Sequence, residues 1–141
     1  QLGTRGQGRP DFLMSEDTPE CPFCNLTLDR VLEENAFCIA IRDQYPVSRL
    51  HTLVIPKRHA ETYFDLSTEE VEALDDLTRS QRRAILTGDP SVEGFNIGMN
   101  CGSVAGQTVP HCHLHLIPRR KGDVEDPTGG VRNVFPGKGL Y

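Results

Sequence analysis

The chain is poor in positive charge. Its 141 residues carry 15 Lys and Arg against 20 Asp and Glu, a formal net charge of −5. A dedicated DNA-binding module shows a basic footprint, so no nucleic-acid partner is expected. A small anion held by a local cluster stays compatible with that charge. Long apolar runs are missing too. Nothing approaches the ~18 residues needed to span a bilayer, and no membrane partner is expected. The N-terminus lacks the apolar h-region of a signal peptide. Cysteine is scarce and odd in number, with five residues at 21, 24, 38, 101 and 112. That does not fit a secreted disulfide framework. Both features predict a reducing, cytoplasmic setting. Internal repeats are absent. What is present, 37% hydrophobic residues with 13 Gly, suffices for one globular core and not comfortably for two.

Residues 1–20 are polar and rich in Gly, Pro and charge, and are expected to form a disordered tail. Met14 resembles a natural start, so the first thirteen residues read as an upstream extension. Residues 21–141 are expected to be one domain with a C-terminal tail at 122–141. Cys21-Pro22-Phe23-Cys24 reads as a tight knuckle. Strands are predicted at Arg30–Glu34, Phe37–Arg42, Leu50–Ile55, Phe95–Asn100 and Thr108–Ile117. Pro56 and Pro118 are read as stops for the third and fifth. Ser67-Thr68-Glu69-Glu70 has capping-box spacing. It opens a helix with Val71, Leu74, Leu77, Ala84 and Ile85 on one stripe, ended by Gly88-Asp89-Pro90. The result is an α+β domain on an antiparallel sheet. A five-stranded sheet half covered by one helix has apolar surface left to hide.

Histidine is also scarce, yet three of the five (51, 59, 111, 113, 115) fall within five residues. In a strand, alternate side chains share a face. His111, His113 and His115 are therefore predicted to face one way, with Cys112, Leu114 and Leu116 turned to the core under the helix. A plain strand would carry Val or Ile there. Two chemistries suit the row. Neutral imidazoles bind metal. Imidazole is also a good nucleophile toward phosphorus, and a neighbouring imidazole can donate hydrogen bonds to the phosphate oxygens as charge builds. Gly98, Gly102 and Gly106 allow backbone N–H groups to approach an anion.

His111-Cys112-His113-Leu114-His115-Leu116-Ile117 is similar to the His-φ-His-φ-His-φ-φ motif of the histidine-triad (HIT) family of nucleotide hydrolases and transferases, φ being mostly apolar. Gly106-Gln107-Thr108-Val109 and the stretch from His51 to His59 resemble further signatures of that family, in the same order. The likeness covers about residues 21–120. It implies a five-stranded antiparallel sheet with one long helix, continued across a homodimer. It also implies that His113 attacks the α-phosphorus of a nucleotide and forms a covalent nucleotidyl-histidine, which water resolves. By the same resemblance His115 binds phosphate oxygens, and Thr108 sits near the leaving group. Asn100 and Gln107 touch phosphate, Asp43 holds the ribose, and His51 orients the triad.

Cys21-x-x-Cys24 alone reads equally as a redox pair or as two buried thiols. HIT-like proteins that begin with Cys-x-x-Cys resemble uridylyltransferase cousins that hold zinc with two Cys and two His. The matching positions are Cys21, Cys24, His59 and His111, a closed structural set. Cys38 and Cys101 read as small buried hydrophobes. Ile117 to Asp123 and the ending from Gly129 to Tyr141 resemble diadenosine tetraphosphate hydrolase-like members of the family. The expected activity is release of AMP from dinucleoside polyphosphates. The alternatives are an adenosine 5'-phosphoramidase, a phosphorylase, and a catalytically idle nucleotide-binding module.

Overall fold

A computed structural model describes residues 19–140. The expectations for residues 1–18 and Tyr141 lie outside the described residues. Five strands form one antiparallel sheet: β1 (Val31–Glu34), β2 (Cys38–Arg42), β3 (Thr52–Pro56), β4 (Val92–Gly98) and β5 (Leu114–Arg120). Their spatial order is β1-β2-β3-β5-β4. One helix, α1 (Thr68–Gly88), links β3 to β4.

The two central strands are apolar on both faces because both faces are covered. One face packs Cys38, Ala40, Val54, Leu114 and Leu116 against Ala73, Leu74, Leu77 and Ile85 of α1. The other face presents Ile39, Ile41, Leu53 and Ile55 to the knuckle residues Cys21, Phe23, Cys24 and Leu26. Each fully buried aliphatic side chain contributes about 1.5–3 kcal/mol. The helix begins where the spacing predicts. Ser67 Oγ accepts from the Glu70 N–H (3.1 Å), and Glu70 Oε1 accepts from the Ser67 N–H (2.8 Å). Glu70 is buried and also receives two N–H bonds from Arg58 (2.9 and 2.8 Å). That pairing holds its carboxyl down at about 2. Ala84, placed on the apolar stripe by its spacing, is exposed.

The histidine strand begins later and ends later than predicted, and is shorter. Thr108–His113 is irregular chain outside the ladder, bent at 109–111, and β5 starts at Leu114. Pro110 has no N–H to give. The N–H groups of the next two residues go elsewhere, His111 to the Val109 carbonyl (2.8 Å) and Cys112 to the Ala60 carbonyl (2.7 Å). At the far end Pro118 does not stop the strand. It pairs with Phe95 of β4. On its other side β3 has already ended, and the Pro118 carbonyl accepts the Ser48 hydroxyl (2.8 Å). A missing N–H is tolerated there. β4 is correspondingly shifted to Val92–Gly98 from the predicted Phe95–Asn100.

Candidate active site

Burial alternates along 112–117, which turns His113 and His115 to the sheet face opposite α1, and His111 joins that side through the Phe23 ring it shares with His113. The His113 and His115 rings lie 5.2 Å apart, and Phe23 meets the edges of both His111 and His113 (6.0 and 5.0 Å). His51 joins from β3's entrance, its ring 5.2 Å from that of His115. The register pairs Leu53 with His115. Leu50, the residue before His51, has φ 72°, a left-handed conformation that costs energy for a leucine. The loop is closed by the Asp43 N–H on the His51 carbonyl (2.9 Å).

Hydrogen-bond partners settle the proton on each ring. Val47 donates its N–H to His51 Nδ1 (3.1 Å), so the His51 proton is on Nε2. That Nε2–H faces His115 Nδ1 at 2.9 Å, with Asp43 Oδ2 at 3.4 Å. His115 Nδ1 is thereby an acceptor, and its proton is on Nε2. At His113 the order is reversed. Its Nδ1–H donates to the His111 carbonyl (2.8 Å), leaving Nε2 with a lone pair. Burial is the main force lowering both His51 and His115, the latter to about 4, so both rings are neutral near pH 7.

A cavity of about 330 Å³ opens beside His113 and His115. Pro22, Phe23 and Leu53 supply apolar walls, while Asp43, Asn100 and Thr108 supply polar ones. Asp43 also works locally: its Oδ1 accepts the Tyr45 N–H (2.8 Å), an Asx turn. Gln107 does not line this cavity. Its Oε1 accepts from Gly102 N–H (2.8 Å), and its Nε2 donates to the carbonyls of Glu61 (2.7 Å) and Val109 (3.0 Å). It braces the loop whose turn is framed by Gly102 (φ 96°) and Gly106 (φ 95°). Arg119 is engaged as well, by both oxygens of Asp123 (2.9 and 2.8 Å) and by Asn96 Oδ1 (2.6 Å).

A second cluster is built around His111, whose ring also meets Phe23. Ligand atoms of Cys21, Cys24, His59 and His111 all lie within 4.8 Å of one another. His111 is fully buried. Its Nε2–H donates to the Pro56 carbonyl (2.9 Å), so the lone pair is on Nδ1. That atom faces Cys21 Sγ (3.3 Å), Cys24 Sγ (3.4 Å) and His59 Nδ1 (3.2 Å). Two sulfurs and two imidazole nitrogens that converge in this way fit a tetrahedral metal. Sequence reasoning overlooked Asp89, read only as a helix stop. The structure buries it and pairs it with Arg49 and with Arg120 (2.9 Å). Nothing local distinguishes such an aspartate from a terminator.

A row of imidazoles of opposite proton polarity, facing a cavity beside a Cys2His2 cluster, defines a histidine-triad site. The chain belongs to the HIT domain family, whose model matches residues 27–122. It is 35% identical over 103 residues to the adenosine 5'-monophosphoramidase of Schizosaccharomyces pombe, covering 70% of this chain and 74% of that one. Among solved structures it resembles a Zn-bound histidine triad family protein from Mycobacterium smegmatis (39% identity, TM-score 0.61, 66% and 67% covered). It also resembles the diadenosine triphosphate hydrolase of Plasmodium falciparum in complex with Cyclomarin A (25% identity, TM-score 0.64, 72% and 69% covered). Of another solved histidine triad protein, from Sulfolobus tokodaii, the chain spans 62%.

Proposed function

We propose that this protein hydrolyses dinucleoside polyphosphates, releasing AMP through a covalent nucleotidyl-histidine. The observation that carries the reading is the opposed proton placement on neighbouring rings. His113 offers a lone pair at Nε2 while His115 offers an N–H at Nε2. A nucleophile and an oxyanion donor are what phosphoryl transfer needs side by side.

In the first step His113 Nε2 forms a bond to the α-phosphorus and the bond to the bridging oxygen breaks. The remaining polyphosphate leaves on that oxygen as an anion, with the Thr108 hydroxyl positioned to donate a hydrogen bond to it. His115 N–H binds a non-bridging oxygen. Asn100 is a second donor, Asp43 receives the ribose hydroxyls, and Phe23 with Leu53 covers the nucleoside. Gln107 acts through the loop it braces. Water then attacks phosphorus, the P–N bond breaks, one proton of that water passes to solvent, and AMP and the free Nε2 lone pair of His113 are restored. The Plasmodium hydrolase supports the dinucleoside substrate. The fission-yeast relative supports a second reading, cleavage of an adenosine phosphoramidate by the same two steps.

Zinc is proposed at Cys21, Cys24, His59 and His111, where it would supply a structural cross-link with no open coordination position. The Zn-bound mycobacterial neighbour supports that choice. A homodimer is proposed through β4, which ends the sheet.

The test of the covalent route is His113→Ala. Turnover of diadenosine polyphosphate is expected to fall at least ~10³-fold while AMP binding stays within a few-fold. Rapid quench with labelled substrate should trap a protein-bound AMP in the wild type only. Full activity in the variant would remove the nucleophile assignment.

A further inference from the structure

Asp89 is buried, and neither the triad nor the metal cluster uses it. It closes α1, its N–H donating to the Ile85 carbonyl (2.9 Å). Its Oδ1 accepts the Ser91 N–H (3.0 Å) and the Ser91 hydroxyl (2.6 Å). Its Oδ2 accepts from Arg49 and from both Nε and Nη2 of Arg120 (3.3 and 2.9 Å). The bonds from Ser91 and Arg120 hold its carboxyl well below the usual carboxylate range. A helix end needs neither arginine.

Both arginines lead to one turn. Ser48-Arg49-Leu50-His51 is closed by the His51 N–H on the Ser48 carbonyl (3.1 Å). Leu50, its third residue, is the one non-glycine among the described residues with a positive φ (72°), and Arg49 does not share that conformation. Positive φ at the third residue alone is the type II pattern, which calls for Gly or Asn there. A leucine escapes the strain by a flip of the Arg49–Leu50 peptide. The flip makes a type I turn and sends the Arg49 carbonyl to the opposite side. That carbonyl is the group Arg120 holds, through Nη2 at 2.9 Å. Asp89 fixes Arg120, and Arg120 bars the flip. The Leu50 side chain meanwhile packs against the α1 core.

The network reaches the catalytic face from behind. Arg120 pairs with Val92, which packs in the core beneath α1. His113 and His115 occupy the other face. The turn is the link, because its last residue is His51, whose Nε2 meets His115 Nδ1 at 2.9 Å. A turn that relaxes carries His51 away from that contact. We propose that Asp89 is a positioning residue of the active site, which through Arg120 locks the 49–50 peptide and so aims His51 at His115. The proposal rests on the functional reading above for its kinetic readout alone.

Asp89→Asn is expected to lower kcat for diadenosine polyphosphate about tenfold, with KM changed by no more than about twofold. Ring-nitrogen NMR shifts should show His51 and His115 leaving the single Nε2–H tautomer. Leu50→Gly added to that variant separates positioning from support. Glycine takes φ 72° without strain, so the turn no longer needs the clamp. The double variant should recover most of the lost kcat and the wild-type tautomers. It should nevertheless unfold at lower denaturant than Asp89→Asn, because the packing of Leu50 is gone. If Asp89 merely supports the fold, activity follows stability and the double variant is the worse of the two, which overturns the proposal. An Asp89→Asn protein with wild-type kcat and tautomers overturns it as well. Arg120→Lys covers the case in which Asp89→Asn does not fold. It keeps a cation beside Asp89 but replaces the fork that spans carboxylate and carbonyl with a single ammonium. A kcat loss of about threefold, restored by Leu50→Gly, is expected there, and an unchanged kcat overturns the clamp. Wild-type protein inactive on the dinucleoside overturns the functional reading, and the tautomers then decide the positioning role by themselves.

Discussion

Two clusters of imidazoles lie on one side of the sheet, and they do opposite things with the same side chain. In the Cys21–Cys24–His59–His111 cluster, the far nitrogen of His111 donates to a carbonyl, and the near nitrogen is left as a lone pair facing two sulfurs. In the Asp43–His51–His115 cluster, the far nitrogen of His51 accepts an N–H from Val47, and the near nitrogen must carry the proton. Ligand atoms in the second cluster also converge within 4.8 Å. A metal there would have to displace a proton that the Val47 N–H keeps in place. Proximity alone would label both clusters metal sites. The partner of the distant nitrogen separates a metal site from a proton chain.

The comparison breaks most visibly at the sulfurs. Cys21→Ser with Cys24→Ser should abolish stoichiometric zinc, measured by elemental analysis of purified protein. Unfolding free energy should fall by several kcal/mol, because metal binding to such sites is folding energy. The effect should reach catalysis as a lower kcat, since the backbone carbonyl of His111 orients His113. Asp43→Asn should leave the zinc content unchanged. Zinc retained by the double serine variant, or lost in Asp43→Asn, would reverse the assignment of the two clusters.

A smaller effect is expected at His51. His51→Ala removes the donor to His115 Nδ1, so the His115 proton is free to move to Nδ1 and face Asp43. The expected loss is about 10–10² in kcat, typical of a lost tautomer-fixing partner, with little change in KM. His51→Gln can still donate from its amide nitrogen toward His115, and should recover part of that loss. Rescue by Gln separates proton placement from packing. Equal damage from Ala and Gln would show that His51 only fills space.

Much of this was legible in the chain, and the failures have physical causes. The capping box at Ser67–Glu70 and the two-residue alternation from Cys112 to Ile117 are local rules, and local rules are readable. Strand limits are not. The start of β5 depends on the Ala60 carbonyl, fifty residues away, capturing the Cys112 N–H. Gln107 sits in a stretch resembling a family signature, yet both ends of its amide are taken by Gly102, Glu61 and Val109. The motif shows where that residue type is needed and says nothing of which atoms it meets. Arg119 follows the same logic, because its charge is matched by Asp123 only once the chain turns back at Gly122. The proton polarity of the two clusters was the least visible feature. It depends on backbone groups at Val47 and Pro56 that no side-chain pattern encodes.

The mildest test sharpens the comparison through pH. His115 is lowered to about 4, first by burial and then by the neighbouring His113 and His51 rings, with Asp43 opposing. A histidine in the unfolded chain titrates near 6.5. Between about pH 6.5 and 4 the unfolded chain therefore binds the proton that folded His115 refuses. Stability gained from the neutral ring is complete above that window and declines as pH falls through it. A second proton on His115 would also sit at Nδ1, facing the His51 Nε2–H at 2.9 Å, so two donors would oppose each other. The chain of protons from Val47 through His51 to His115 would then be broken at its last link. Denaturant midpoints should accordingly drop between pH 6.5 and 4. The acid limb contributed by His115 in single-turnover kcat should lie near pH 4 rather than near 6.5. In His51→Ala, where the opposing donor is gone, that limb should move toward higher pH. A limb fixed in place by that substitution would mean that burial alone sets His115, with His51 contributing nothing to its proton.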